Sequence, residues 1–202
     1  MDQADYERFQ ALLHVANTVT PVHLSNLREH YQGRTLIMAL AEKIEPENRL
    51  VDLGAYSQMP NHYHLLIRER LEGGVTAFMR KLGTGYTMYF NKKHERTGAL
   101  FSGKFKSKHV STDQYFRRVV NYIHGNVAEL YEPRWKEGII SGERRLHSKL
   151  REYPFSSLAD YIGPQRPEGV LVASAEVLEL LNEPPSFEDL LEDARTYARD
   201  IE

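Results

Sequence analysis

Two runs of β-type composition, residues 50–59 and 62–70, meet at Met59-Pro60-Asn61, and no other stretch of the chain constrains its fold as strongly. Proline and asparagine are turn residues, so the pair predicts an antiparallel hairpin. Apolar residues at helical spacing surround it. Tyr6, Phe9, Leu12, Leu13 and Ala16 predict a helix over residues 3–17 that Pro21 ends, and residues 25–43 read as helical in part, with Gly33 interrupting. After Gly73-Gly74, the positions Val75, Phe78, Met79, Leu82, Tyr86 and Tyr89 predict a second amphipathic helix.

A third strand is expected around residues 103–110, where period two puts Lys104, Lys106 and Lys108 on one face and Phe105, Ser107 and His109 on the other. Ser111-Thr112-Asp113 then supplies helix-cap chemistry for a helix carried by Phe116, Val119, Val120, Ile123, Val127 and Leu130. Residues 133–154 read as loop with short helical pieces. The end of the chain, residues 164–202, holds three Lys or Arg against ten Asp or Glu, and Ser186 with Asp189 caps a final helix whose apolar side includes Phe187, Leu190, Leu191, Ala194, Ala198 and Ile201. The fold class expected is α+β, an antiparallel sheet with helices packed on it and a helical C-terminal extension.

The 202 residues, 41% of them hydrophobic, suffice for one sizeable core. The absence of cysteine excludes disulfides, zinc-thiolate sites and cysteine nucleophiles. No apolar run reaches the roughly 18 residues a bilayer requires, so the expectation is a soluble, cytoplasmic protein with no membrane partner. Charge is segregated. Between Arg68 and Arg118 there are twelve Lys or Arg and four Asp or Glu, whereas the chain as a whole carries a net −2. A basic block of this kind fits a polyanion, and it also fits a solvated face balanced by acidic residues elsewhere.

The candidate chemistry lies in two short patterns. His62-Tyr63-His64 puts two imidazoles on one face of the second run, where both reach a single cation, with Tyr63, Leu65 and Ile67 expected to turn toward the core. Surface strands also carry such pairs without a metal. On the helix after Ser111, Tyr122 and Asn126 stand one turn apart at the edge of the apolar stripe; a half-buried tyrosine with its hydroxyl turned to water, and an asparagine serving as surface amide or helix cap, are the plain alternatives. A phenol ionises near pH 10, so attack on an anionic phosphodiester needs help, which a cation on a phosphate oxygen supplies as a Lewis acid. A covalent phosphotyrosine retains the bond energy for rejoining, so no nucleotide-binding Gly-x-x-x-x-Gly-Lys-Ser/Thr loop is needed, and none is present.

Taken in order, Met59-Pro60-Asn61-His62-Tyr63-His64-Leu65-Leu66-Ile67, Phe101-Ser102-Gly103-Lys104-Phe105-Lys106-Ser107, Tyr122-Ile123-His124-Gly125-Asn126-Val127 and Tyr153-Pro154-Phe155-Ser156-Ser157 resemble the REP-associated tyrosine transposases, of the single-tyrosine HUH (insertion-sequence type) superfamily. The resemblance covers roughly residues 5–163. It implies a ferredoxin-like sheet, a transposase domain over residues 1–163 and an acidic helical extension over 164–202. It further implies that His62 and His64 bind magnesium or manganese, that Asn126 completes the metal shell, and that Tyr122 attacks single-stranded DNA beside a hairpin to leave a 5′-phosphotyrosine and a free 3′-hydroxyl. Arg68, Arg80, Lys81, Lys104, Lys106, Lys108, Arg117 and Arg118 then become candidates for DNA-phosphate contacts. The partner is single-stranded or hairpin DNA, and the working unit a monomer or a homodimer. His124 and His109 are expected in core or surface roles.

Three departures from the family pattern stand out. Val127 follows Asn126 where the family commonly has proline. Family members usually open with a strand, whereas this chain opens almost at the first helix, at Asp5-Tyr6-Glu7-Arg8-Phe9, so the sheet either lacks its first strand or fills that place with another segment. Two imidazoles and an amide also make a nitrogen-rich site, more comfortable for manganese than for magnesium and open to adventitious zinc. Two other readings share parts of this pattern: a non-catalytic hairpin-DNA-binding protein derived from a transposase, and a metal-dependent phosphodiesterase using water with Tyr122 structural.

Overall fold

The structure is a computed structural model and describes residues 1–20, 46–182 and 186–201. Its elements are α1 (Gln3–Val15), β1 (Val51–Gln58), β2 (Tyr63–Glu69), α2 (Gly74–Lys93), α3 (Asp113–Gly125), α4 (Glu143–Glu152), α5 (Leu158–Ile162), α6 (Ser174–Leu181) and α7 (Phe187–Ile201). The chain is α+β, with helices packed on a sheet that, among the described residues, has the two strands β1 and β2. The expected hairpin forms: the Met59 N–H donates to the His62 carbonyl at 2.8 Å. The helix expected within residues 25–43 lies outside the described residues. No helix among the described residues is long and apolar enough to cross a membrane.

Two expectations are corrected. Residues 103–110 form no strand; 102–109 are exposed and irregular, because alternation of side chains supplies no backbone partner and no described strand pairs with this segment. Within residues 133–154 the expected short helical pieces include a full ten-residue helix, α4, whose Leu146 and Leu150 are each 1% exposed.

The chain divides into two compact units, Met1–Asp52 with Ile67–Lys108 and Leu53–Leu66 with His109–Glu202. In the first, α1 starts at a capping box in which Asp2 and Asp5 satisfy each other's N–H groups, and it packs on α2 with the Phe9 and Tyr86 rings edge to face at 5.2 Å. Gly74 is required where α2 begins, since a Cβ there would lie 2.4 Å from the Leu50 carbonyl oxygen. The Asn17 side chain does the work of a strand residue on residues 50 and 51. Its Oδ1 accepts from the Leu50 and Val51 N–H groups at 3.1 and 2.9 Å, and its Nδ2 donates to the Val51 carbonyl at 2.9 Å.

In the second unit, segments that are not strands satisfy the edge of β1. The Gln58 N–H donates to the Phe155 carbonyl and the Ser157 N–H to the Tyr56 carbonyl, both at 2.9 Å, and Ser57 forms an isolated antiparallel bridge with Ser156. The Tyr153 hydroxyl donates to the Gln58 carbonyl at 2.6 Å, the Tyr161 hydroxyl to the Gly54 carbonyl, and the Ala173 N–H to the Leu53 carbonyl at 2.9 Å. These bonds explain the Tyr-Pro-Phe-Ser-Ser block at 153–157, since its residues cover what would otherwise be an open sheet edge. The apolar core of this unit joins α3, α4 and α7 around Tyr122, Ile123, Val127, Trp135, Leu146, Leu150, Leu190 and Ala194.

The final helix forms as expected, with Ser186 Oγ accepting from the Asp189 N–H at 3.1 Å. It lies close against α3 at Gly125, where a Cβ would come within 2.8 Å of the Ala194 Cβ. Gly125→Val therefore forces the two helices apart, and denaturant unfolding should show a loss of about 1–3 kcal/mol. An unchanged midpoint would mean that α7 does not rest on α3.

His124 in α3 is wholly buried, which lowers its pKa from the ordinary histidine value to about 3. The unfolded chain takes up the proton first, so this group's contribution to stability is complete above pH 6.5 and is lost as the pH falls from there toward 3. His124→Gln should be less stable than wild type at pH 7, with the difference in unfolding free energy narrowing by about 2 kcal/mol at pH 5. A gap that stays constant between the two pH values would contradict a buried neutral imidazole.

Candidate functional site

The hairpin and α3 bring His62, His64, Tyr122 and Asn126 together within the second unit. His62 stands just before β2 and His64 on it, their ring centroids 5.1 Å apart. The histidine face is not the one turned away from the core, as the sequence had led us to expect. Residues 62–67 are all half-buried, but Leu66, two residues on from His64 and so on its face, packs against the apolar clusters that include the α3 residues Val120, Tyr122 and Ile123. Helix α3 covers this face of the hairpin, and that cover brings the tyrosine to the imidazoles.

The rings of Tyr122 and His64 meet edge to face at 5.1 Å. Tyr122 is 7% exposed, so it does not hold the open boundary position its spacing predicted. Its ring also lies 4.8 Å from that of Tyr197 on α7. The Tyr197 hydroxyl in turn accepts from that of Tyr115 at 3.3 Å, and burial raises the Tyr197 pKa. Tyr197 gave no signal in the sequence, because it follows Tyr122 by 75 residues and belongs to a helix assigned only to packing.

Asn126 is the C-cap of α3, 1% exposed, with its N–H donating to the Tyr122 carbonyl as in a continuing helix. With valine rather than proline at 127, the chain runs straight on into a 3-10 turn, Asn126–Leu130, and Val127 is buried in the core. The Asn126 Nδ2 lies 3.1 Å from His62 Nε2, and His62 Nδ1 lies 2.7 Å from Asn61 Oδ1. The Asn61 oxygen can only accept, so it fixes the His62 proton on Nδ1 and leaves Nε2 with a free lone pair facing Asn126. Asn61 is thus an orienting residue that sequence reasoning used only as turn chemistry.

Burial lowers the pKa of His62, and it lowers that of His64 to about 4, with the neighbouring His62 adding to the effect. Both rings are neutral at pH 7, the form in which imidazole ligates a metal. His64 Nε2 is buried with no hydrogen-bond partner among the described residues, an orphan nitrogen whose lone pair, in the tautomer with the proton on Nδ1, a cation would satisfy. The donor set of His62, His64 and Asn126 therefore fits a small cation. Among the described residues no cluster of three His, Cys, Asp or Glu side chains supplies a second such site.

His124, two residues from Tyr122, turns away from this group. Its Nε2 lies 2.8 Å from Ser157 Oγ, and that oxygen also accepts from the Tyr56 N–H at 2.9 Å. This histidine belongs to the core, while His109 is exposed.

The eight candidate DNA-binding cations fare differently. Arg68 pairs with Asp52 at 2.7 Å, Arg118 lies 3.6 Å from Asp200, Lys81 donates to the Thr18 carbonyl at 2.5 Å and Arg117 to the Leu181 carbonyl at 3.2 Å. Arg80, Lys104, Lys106 and Lys108 are exposed.

No curated protein and no solved structure gives a significant match to the chain. Residues 28–126 match a family model described as transposase IS200-like. That segment, just under half of the chain, contains His62, His64, Tyr122 and Asn126, and there the chain is similar to the IS200-like transposases.

Proposed function

We propose that this chain is a REP-associated type of single-tyrosine transposase that cuts and rejoins single-stranded DNA near a hairpin, with Tyr122 as nucleophile. The observation that carries the reading is the packing of the Tyr122 ring against His64, itself paired with His62, inside the segment with the transposase match. Tyr122 Oη forms a bond to phosphorus while the bond from phosphorus to the 3′-oxygen breaks. The phenolic proton leaves to water, and the departing 3′-oxygen takes up a proton as a hydroxyl. The 5′ end stays on the enzyme as a phosphotyrosine, ready for attack by a 3′-hydroxyl in rejoining.

His62 Nε2, His64 Nε2 and the Asn126 amide oxygen would hold magnesium or manganese, with manganese suited better to the nitrogen donors. When bound, the ion supplies Lewis-acid polarisation of the scissile phosphate. The protein's own part is to keep both imidazoles neutral by burial, to fix the His62 tautomer through Asn61 and to hold the phenol beside them. Transposase relatedness implies a DNA partner; the single-stranded hairpin form and the choice between monomer and homodimer belong to this proposal.

One observation favours a second reading, hairpin binding without cleavage: Tyr122 is 7% exposed, with Tyr197 against its ring. Covalent capture separates the two. Incubation of the protein with a single-stranded hairpin oligonucleotide and manganese should give a protein–DNA adduct that survives denaturing electrophoresis. Tyr122→Phe should lower the yield by at least about 10³-fold, and His62→Ala or His64→Ala by at least about 10²-fold. Adduct formation by the phenylalanine variant would refute the nucleophile assignment, and hairpin binding without any adduct in wild type would establish the second reading.

A further inference from the structure

Helix α4 lies beyond the segment with the transposase match and outside the basic block at 68–118. Its inner side, Leu146 and Leu150, belongs to the same apolar cluster as Tyr122. Its other side presents Arg144, His147 and Arg151 to a groove of about 480 Å³, closed opposite by Ala159 and the 162–164 turn. The helical repeat accounts for this arrangement, since positions 144, 147 and 151 fall on one stripe.

Several of the described cations outside this groove are committed to partners within the fold. Arg134 is held by Glu137 at 2.7 Å, Lys136 lies 3.8 Å from Glu129, and Arg166 is held by Asp160 at 2.7 Å. Arg144 and Arg151 have no ion pair or hydrogen bond among the described residues. The groove's one acid, Glu152, accepts from the Ser148 hydroxyl at 2.6 Å. His147 is fixed by its ring contact with Phe187 at 4.6 Å. Two free guanidiniums beside an anchored imidazole, in an open groove, have the chemistry of a phosphate-backbone contact. Arg144 and Arg151 are about 10 Å apart along the helix axis, which spans about three nucleotide steps of one strand at a rise of ~3.4 Å.

We propose that the α4 groove binds the phosphodiester backbone of the DNA that the chain acts on, as a contact separate from the tyrosine site. This rests on the DNA-processing reading above for the identity of the polyanion, while the groove itself is argued from its own charges. Arg144 and Arg151 position DNA and touch no reacting atom.

The test is equilibrium binding of a fluorescent hairpin oligonucleotide with a single-stranded flank, followed by anisotropy across a KCl series, for wild type, Arg144→Gln/Arg151→Gln and the charge-matched control Arg134→Gln/Arg199→Gln. The groove variant should bind on the order of tenfold more weakly, with a salt dependence shallower by about 1.5–2 in log–log slope. The control should stay within about twofold of wild type. Thermal melts of all three proteins report folding, and single substitutions at 144 or 151 replace the double variant if it is unstable. A tenfold molar excess of inorganic phosphate over the DNA should leave binding unchanged; displacement by it would mean a free-phosphate site and overturn the proposal. Equal losses in groove variant and control would reduce the effect to net charge and overturn it too, as would a groove variant that binds like wild type. If wild type yields no covalent adduct but the groove variant alone loses DNA affinity, the groove assignment stands and the tyrosine mechanism falls. Normal adduct formation with unchanged binding by the groove variant sinks the groove and leaves the mechanism intact.

Discussion

The hydroxyl of Ser157 joins the two halves of the candidate site. It accepts from the Tyr56 N–H on β1 at 2.9 Å and lies 2.8 Å from His124 Nε2 on α3. A serine oxygen takes two hydrogen bonds and gives one, so with the His124 proton on Nε2 it accepts from both neighbours and donates to the Tyr56 carbonyl at 3.2 Å. The bare His124 Nδ1 is then an acceptor, a cheaper group to leave buried and unpaired than a donor. The imidazoles at 62 and 64 lie at the end of the hairpin, and Tyr122 lies two residues before His124. Loss of the serine hydroxyl would strand a buried N–H on each side, at about 1–3 kcal/mol for each, and leave the strand joined to the helix that carries the tyrosine by apolar packing at Ala55 and Met59.

The acidic end of the chain has a structural reason to be acidic. Helix α7 packs on α3 through Gly125 and Ala194, and around this contact Asn121 donates to Asp193 at 2.8 Å while Arg118 lies 3.6 Å from Asp200. Part of the basic block is therefore answered within the fold, by Asp200 for Arg118 and by Asp52 for Arg68. A sum over sequence cannot distinguish such a committed arginine from a free one. Pairing does, and it leaves Arg144 and Arg151 of α4, outside the block that composition singled out, more available than half of the candidates within it.

Much of the fold was legible because local chemistry decided it. Pro60 and Asn61 set the turn, Thr112 caps α3 by accepting from the Tyr115 N–H at 3.2 Å, and Ser186 caps α7. What could not be read depended on partners distant in sequence. The alternation of Lys104, Phe105, Lys106, Ser107 and Lys108 is that of a strand, yet a strand also needs a neighbour. Period two placed His62 and His64 on one face correctly, but Leu66 carries the same parity, and it is α3 that makes this face the covered one. Tyr122 passed for a boundary residue because Tyr197, which closes over it, comes from the last helix. The tyrosine, the histidine pair and the asparagine were all visible as residues; their burial was not.

That burial shapes the chemistry available to the site. Asn61 holds the His62 proton on Nδ1, so the Nε2 lone pair faces Asn126, whose Nδ2 donates to it. Rotation of the Asn126 amide by half a turn exchanges that donor for an oxygen, and a cation would then meet two imidazole lone pairs and a carbonyl-type oxygen. The exchange costs one hydrogen bond, a net of about 0.5–1.5 kcal/mol. His64 Nε2 has no bond to give up among the described residues. The group is thus arranged so that its neutral form satisfies two of its three members and leaves the third wanting a partner, and burial of both rings guards against protonation as the competing way of supplying one.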